Sequence, residues 1–385
     1  MEPAGRRGGQ GKIRAGQGTQ LSLLAAGLVA CHGSAPSAPV LPVTPRRTWS
    51  QADIDVLAGR LDSLREVARI PGLSVALIES GRVVLSRGFG FANLERRVAA
   101  TDTTPYNIAS VSKPLSAVVA LRLTELGQLD LDRPMASFAG FAEFCQAVHE
   151  GGGIFFKDYD CSAATLTLRR VLSMTSNGVP GTRFFYNPPA YSWASRPLAE
   201  VAGKPFSSLV RQYVFEPAGM RRSARIHRQL PLSPELAAAL ATPYHLDSTS
   251  QAVVSDPPPP QGDGAAGGVI STVADLARFD LALEAGSLLT ATSRAAMWTP
   301  TTGPDGKPLP YGLGWFIRTV RGEGLIWHTG LWEGAYSALY LKIPARGVSL
   351  ILLANSDGLQ FPTPLDGATI ETSPFAMALL DALLH

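Results

Sequence analysis

Residues 107–113 read Asn107-Ile108-Ala109-Ser110-Val111-Ser112-Lys113, and a long apolar run over 114–127 follows them. A serine hydroxyl is a poor nucleophile until a nearby base takes its proton. On a helix, positions i and i+3 share a face, so Lys113 can stand beside the Ser110 hydroxyl. Burial would lower the lysine pKa and turn the amine into a usable base. A serine at a helix start also has backbone N–H groups near any developing oxyanion. Upstream, residues 73–79 and 82–90 are β-rich runs around Ser80-Gly81, the pattern of a hairpin. The Ser-x-x-Lys pair therefore lies between a hairpin and a long helix.

Working outward, Ser50-Gln51-Ala52-Asp53 resembles a capping box, and Ile54, Leu57, Leu61 and Leu64 recur at helical spacing until Pro71-Gly72. Residues 130–260 read as mostly helical with long loops, two of them marked by Gly151-Gly152-Gly153 and the prolines at 257–260. Thr272 caps another helix that ends near Gly286. Strands return over 312–320, 325–328, 335–343 and 348–354, and Ser373 caps a closing helix that starts at Pro374. The pattern predicts an α/β fold: a sheet flanked by helices, its two halves separated in sequence by an all-α subdomain over roughly 130–260. Two further segments carry chemistry. One is Phe184-Phe185-Tyr186-Asn187-Pro188-Pro189, with Tyr186 as a second acid/base group. The other is Trp327-His328-Thr329-Gly330-Leu331, with His328 at a strand end.

Serine, lysine, tyrosine and a His-Thr-Gly strand, in this order, resemble the serine β-lactamase and penicillin-binding peptidase superfamily. The likeness is to its branch of class C β-lactamases, D-alanyl-D-alanine carboxypeptidases and esterases. Supporting stretches are Leu129-Asp130-Leu131-Asp132, Gly267-Gly268-Val269-Ile270-Ser271-Thr272, Tyr311-Gly312-Leu313-Gly314-Trp315 and Leu352-Leu353-Ala354-Asn355. The resemblance implies a β-lactamase-like fold with an antiparallel sheet. It implies Ser110 as the acylated nucleophile, Lys113 as its activating partner and Tyr186 as a proton shuttle. His328 would face the substrate and Tyr186, where many relatives carry lysine. The backbone N–H groups of Ser110 and Leu331 would form the oxyanion hole, with Thr329 and Gly330 beside the substrate.

One position departs from the pattern. Relatives have Tyr-x-Asn, whereas here Pro188 stands at the asparagine position and Asn187 falls one residue early. In relatives that asparagine bonds the lysine and the substrate's acylamino carbonyl; proline has no side-chain donor or acceptor. The expected activity is therefore hydrolysis of an ester or a small peptide amide. A true class C-like β-lactamase and a catalytically weak envelope lipoprotein that only binds are the alternatives.

The chain has 385 residues, and only six of its 34 basic residues are lysines, a skew that fits genome composition. Four of those basic residues and one of the 31 acidic residues lie in the first 30 positions, so the remainder is neutral and gives no reason to expect nucleic acid. That basic start, followed by Leu21 to Ala30, reads as a signal peptide over 1–30. Leu28-Val29-Ala30-Cys31 resembles a lipobox, which implies lipidation of Cys31 and attachment to a membrane surface of the bacterial envelope. A proline-rich tether over 31–47 would lead into a hydrolase domain over 48–385. Cys145 and Cys161 form a candidate disulfide in an oxidising compartment. The histidines lack metal-ligand spacing, so neither metal nor cofactor is expected.

Overall fold

The computed structural model describes residues 48–360 and 369–384. The signal, Cys31 and the tether lie outside them. Helix α1 (Gln51–Val67) begins with a capping box: Ser50 Oγ accepts from the Asp53 N–H, and the Asp53 carboxylate accepts from the Ser50 N–H. It leads into β1 (Gly72–Glu79) and β2 (Arg82–Asn93), joined at Ser80 and Gly81, both with positive φ. Short β3 (Val98–Ala99) completes this half. The other half is β4 (Phe316–Val320), β5 (Glu323–Trp332), β6 (Tyr336–Ile343) and β7 (Val348–Ala354).

Together they make one antiparallel seven-stranded sheet in the order β3-β2-β1-β7-β6-β5-β4. The β1–β7 pairing, with Leu73 opposite Ala354, joins the two sequence halves. Every residue of β1, β6 and β7 is buried, so both faces of the central sheet are covered. The cover comes from α1, which packs on the C-terminal helix, and from the helix capped by Thr272, which packs on β1 and β7.

Two strand bounds differ from the sequence reading. Residues 312–315 form a turn ahead of β4, because Gly314 adopts φ +78° and Gly312 N–H donates to Trp315 O. The strand expected over 325–328 runs on to Trp332, paired with β6 throughout. The stretch 130–260 is helical and looped as expected. It also holds short strands at Ala224–Arg225, Tyr244–Leu246 and Ala252–Val254, so it is not purely α-helical. Helix α2 (Ser112–Glu125) runs through the middle of the protein, with eleven of its residues buried. Helix α3 (Phe141–Gly151) carries Cys145, which is bonded to Cys161 across 6.1 Å between Cα atoms.

Candidate active site

A single 3-10 turn, Ala109–Val111, precedes α2 and presents Ser110. Ala109 sits at φ +45°, a conformation that costs a non-glycine residue about 1–3 kcal/mol. It is held there by Asn107, whose Oδ1 accepts from the Ala109 N–H at 2.9 Å. Strand β5 passes closely over this turn. A Cβ on Gly330 would lie 2.3 Å from the Ile108 carbonyl oxygen, so only glycine lets Leu331 come alongside the Ser110 segment. Ser110 and Leu331, the expected oxyanion-hole residues, both line one cleft of 680 Å³, together with Lys113, Tyr186, Pro188 and Thr329. Gly330 itself does not line the cleft; its part is the close approach.

Lys113 is fully buried, and its Nζ lies 2.7 Å from Ser110 Oγ. Burial lowers its pKa to about 7, so near neutral pH much of it is free amine able to accept the serine proton. Nζ also donates to Ala266 O at 3.1 Å and stands 5.1 Å from the centre of the Tyr186 ring. Ala266 belongs to a strap held from both sides. On one side, Ser116 Oγ donates to Ala265 O and Ser112 Oγ accepts from the Val269 N–H. On the other, the buried guanidinium of Arg225 donates to Gly264 O at 2.6 Å and to Gly262 O and Gly268 O at 3.3 Å. Arg225 thus positions the carbonyl that the lysine leans on. Nothing in the linear sequence singled it out, because the contact joins residues about forty positions apart.

His328 packs against Tyr186 as expected but does not face the cleft. It is fully buried and absent from the lining of the cleft. Its Nδ1 is 2.6 Å from Thr329 O and its Nε2 is 2.8 Å from the Tyr311 hydroxyl. Burial holds the Tyr311 phenol well above its ordinary pKa, so the hydroxyl keeps its proton and donates. That fixes the proton of His328 on Nδ1, donated to Thr329 O. Burial and then the nearby Lys113 charge push the imidazole well below its ordinary pKa, so it is neutral. His328 therefore orients the β5 backbone and packs 6.2 Å from the Tyr186 ring; it offers the substrate no cation. Tyr311 is the partner the sequence reading missed. Its stretch is one of the supporting motifs, but its link to His328 depends on the fold.

Helix α4 (Pro188–Trp193) explains the Asn187-Pro188 departure. Asn187 is the N-cap: its Oδ1 accepts from the Ala190 N–H, and its Nδ2 donates to Phe155 O at 2.8 Å and Asn177 Oδ1 at 3.0 Å. It is 1% exposed and faces away from the cleft, so it does not replace the missing asparagine. Proline at the first helical position is a common start, and Pro188 puts only carbon against the cleft. Phe155 and Ile154, also in the wall, sit on the 152–160 segment that the Cys145–Cys161 bond closes.

The beta-lactamase family model matches residues 57–371. The chain belongs to the beta-lactamase family, and it is a serine hydrolase of that family. Penicillin-binding protein 4* of Bacillus subtilis (strain 168) is 25% identical over 314 residues, 74% of this chain and 68% of that protein. The chain spans about two thirds of the length of the curated relatives it matches. Among solved structures, the octameric penicillin-binding protein homologue from Pyrococcus abyssi has a TM-score of 0.69 at 24% identity, covering 85% of this chain and 77% of that one. D-amino acid amidase from Ochrobactrum anthropi SV3 has a TM-score of 0.66 at 21% identity, covering 86% and 99%. At these identities the structural likeness is one of fold.

Proposed function

We propose that this beta-lactamase family member hydrolyses esters through an acyl-enzyme on Ser110. The carrying observation is the buried Lys113 amine, 2.7 Å from Ser110 Oγ, at the wall of an apolar cleft. Lys113 takes the Ser110 proton as Oγ attacks the acyl carbon, and the Ser110 and Leu331 N–H groups receive the charge that forms on the carbonyl oxygen. Tyr186 passes a proton to the departing alkoxide, the C–O bond breaks, and water then cleaves the acyl-serine bond by the reverse relay.

The substrate preference follows from the walls. Among the described lining residues Lys113 is the one charged side chain, and Ile154, Phe155, Phe184, Phe185, Pro188 and Trp332 supply carbon. With His328 turned inward and Pro188 lacking a donor, the described lining lacks the lysine and asparagine side chains that relatives place at these two positions. An ester, which brings its own reactive carbonyl, loses less. Small amides stand second, supported by the fold shared with a D-amino acid amidase. We propose further that the chain is exported and anchored through a lipid on Cys31. Wild type should enter the detergent phase and Cys31→Ala should not; equal partitioning refutes the anchor.

Two expectations test the site. The free amine is the active form and lies above its pKa, so acylation should rise with pH through a midpoint near 7. A flat profile from pH 5.5 to 8.5, measured on pre-steady-state bursts, would contradict Lys113 as base. Pro188→Asn should raise penicillin acylation relative to ester turnover, read by a fluorescent penicillin and a p-nitrophenyl ester side by side. An unchanged ratio would remove Pro188 as a selectivity determinant.

A further inference from the structure

Beyond Trp332 and Gln261, both of which line the catalytic cleft, lies a smaller cavity of 190 Å³ that the same two residues also line. Its walls include the prolines at 258–260, a rigid surface with few donors. Two donors face it. Arg228 lines it, and its guanidinium has no ionic or hydrogen-bond partner among the described residues; only its backbone N–H is engaged, with Gln261 O at 2.8 Å. Asn107 also lines it and is only 6% exposed. The bond from Ala109 N–H fixes Asn107 Oδ1 on the protein side, which leaves the Nδ2 donors without a partner among the described residues. The Nδ2 group is open to solvent, so its N–H donors are available to an acceptor that enters the cavity. The other titratable side chain, His227, is committed: Nδ1 to Gln229 Oε1 at 3.1 Å, and Nε2 towards Ser207 Oγ at 3.4 Å and Asp263 at 3.9 Å. No carboxylate lines the cavity among the described residues.

We propose that this cavity is a subsite for a carboxylate on the arm of the substrate remote from the scissile bond, held by Arg228 and by Asn107 Nδ2. The proposal rests on the esterase reading and narrows its substrate class to esters that are apolar around the reacting carbonyl and anionic at one end. It also fits a catalytic cleft whose described lining has Lys113 as its one charged side chain: recognition of charge is moved past Trp332. Arg228 contacts no reacting atom, so its loss should alter affinity for the charged arm and nothing else. Arg228 is exposed, so its ion pair with a carboxylate is worth about 2- to 5-fold in affinity.

The test compares two ester pairs. p-Nitrophenyl hexanoate and the mono-p-nitrophenyl ester of adipic acid differ by a carboxylate on the acyl arm. The hexanoyl esters of 4-hydroxybenzamide and 4-hydroxybenzoate differ by one on the leaving group. We expect the anionic member of one pair to have the lower KM. Arg228→Ala should raise that KM about 2- to 5-fold and leave the neutral member unchanged, and Arg228→Glu should reverse the preference. The pair that responds identifies the arm. No preference in either pair, or equal effects of Arg228→Ala on both members, overturns the subsite. Loss of hydrolysis of every ester would instead count against the esterase reading. The subsite is then read without turnover, by thermal shift with two pairs: pentylboronic acid against its ω-carboxylate analogue for the acyl arm, and 4-hydroxybenzamide against 4-hydroxybenzoate for the leaving-group arm. A larger shift for one carboxylate, lost in Arg228→Ala, supports it, and equal shifts within both pairs overturn it.

Discussion

Ser110→Ala should reduce p-nitrophenyl ester hydrolysis to the rate of buffer. The expectation follows from the covalent route: without Oγ, the oxygen that Lys113 Nζ meets at 2.7 Å is gone and no acyl-enzyme forms on it. The substitution removes one oxygen from a half-buried turn whose conformation is set by Asn107 and Gly330. The folded protein should survive, with an unchanged melting temperature as the control. Hydrolysis that persists in the variant at more than a few per cent would place the chemistry elsewhere.

Lys113→Met should lower turnover by about 10²–10⁴-fold, the range for loss of a general base. It should do so without loss of stability. Methionine keeps an unbranched apolar stem of similar length in a fully buried position. What it removes is a group whose charged form is disfavoured by burial. The native pKa of about 7 lies below the ordinary 10.5, so between those values the unfolded chain binds the proton that the folded chain does not. The folded state therefore carries the whole penalty below pH 7 and is relieved of it as pH climbs towards 10.5. Lys113→Met should then raise the melting temperature, most clearly at pH 6 and least at pH 10. A variant that loses both activity and stability would show Lys113 to be a structural cation. A variant that keeps activity would show that Ser110 has another base.

How far the sequence could lead is clearest at particular residues. Ser110 and Lys113 were legible because their relation is local: three positions on one helical turn, between a hairpin and an apolar helix. Six strands of the sheet are legible because they are β-rich runs and the central ones are near-continuously apolar; the two-residue Val98–Ala99 is too short to leave such a signal. The bounds of 312–320 were misread because Gly314, inside an otherwise β-like run, takes a left-handed φ. His328 was assigned to the cleft because the motif sets its position in the chain but not the hydrogen bonds that turn it inward. Those come from Tyr311, seventeen residues away. Asn187 did carry a readable local signal, an asparagine followed by proline at the start of a helix, and that signal marks it as a cap. Arg225 and the strap it holds had none, since backbone carbonyls as acceptors leave no trace in residue type.

The measurement closest to the central claim is the intact mass of the protein after exposure to a fluorophosphonate, followed by peptide mapping. The account predicts a single adduct, located on Ser110, formed faster at pH 8 than at pH 6 and absent from Ser110→Ala. An adduct on any other residue, or one that forms equally in Ser110→Ala, would contradict it.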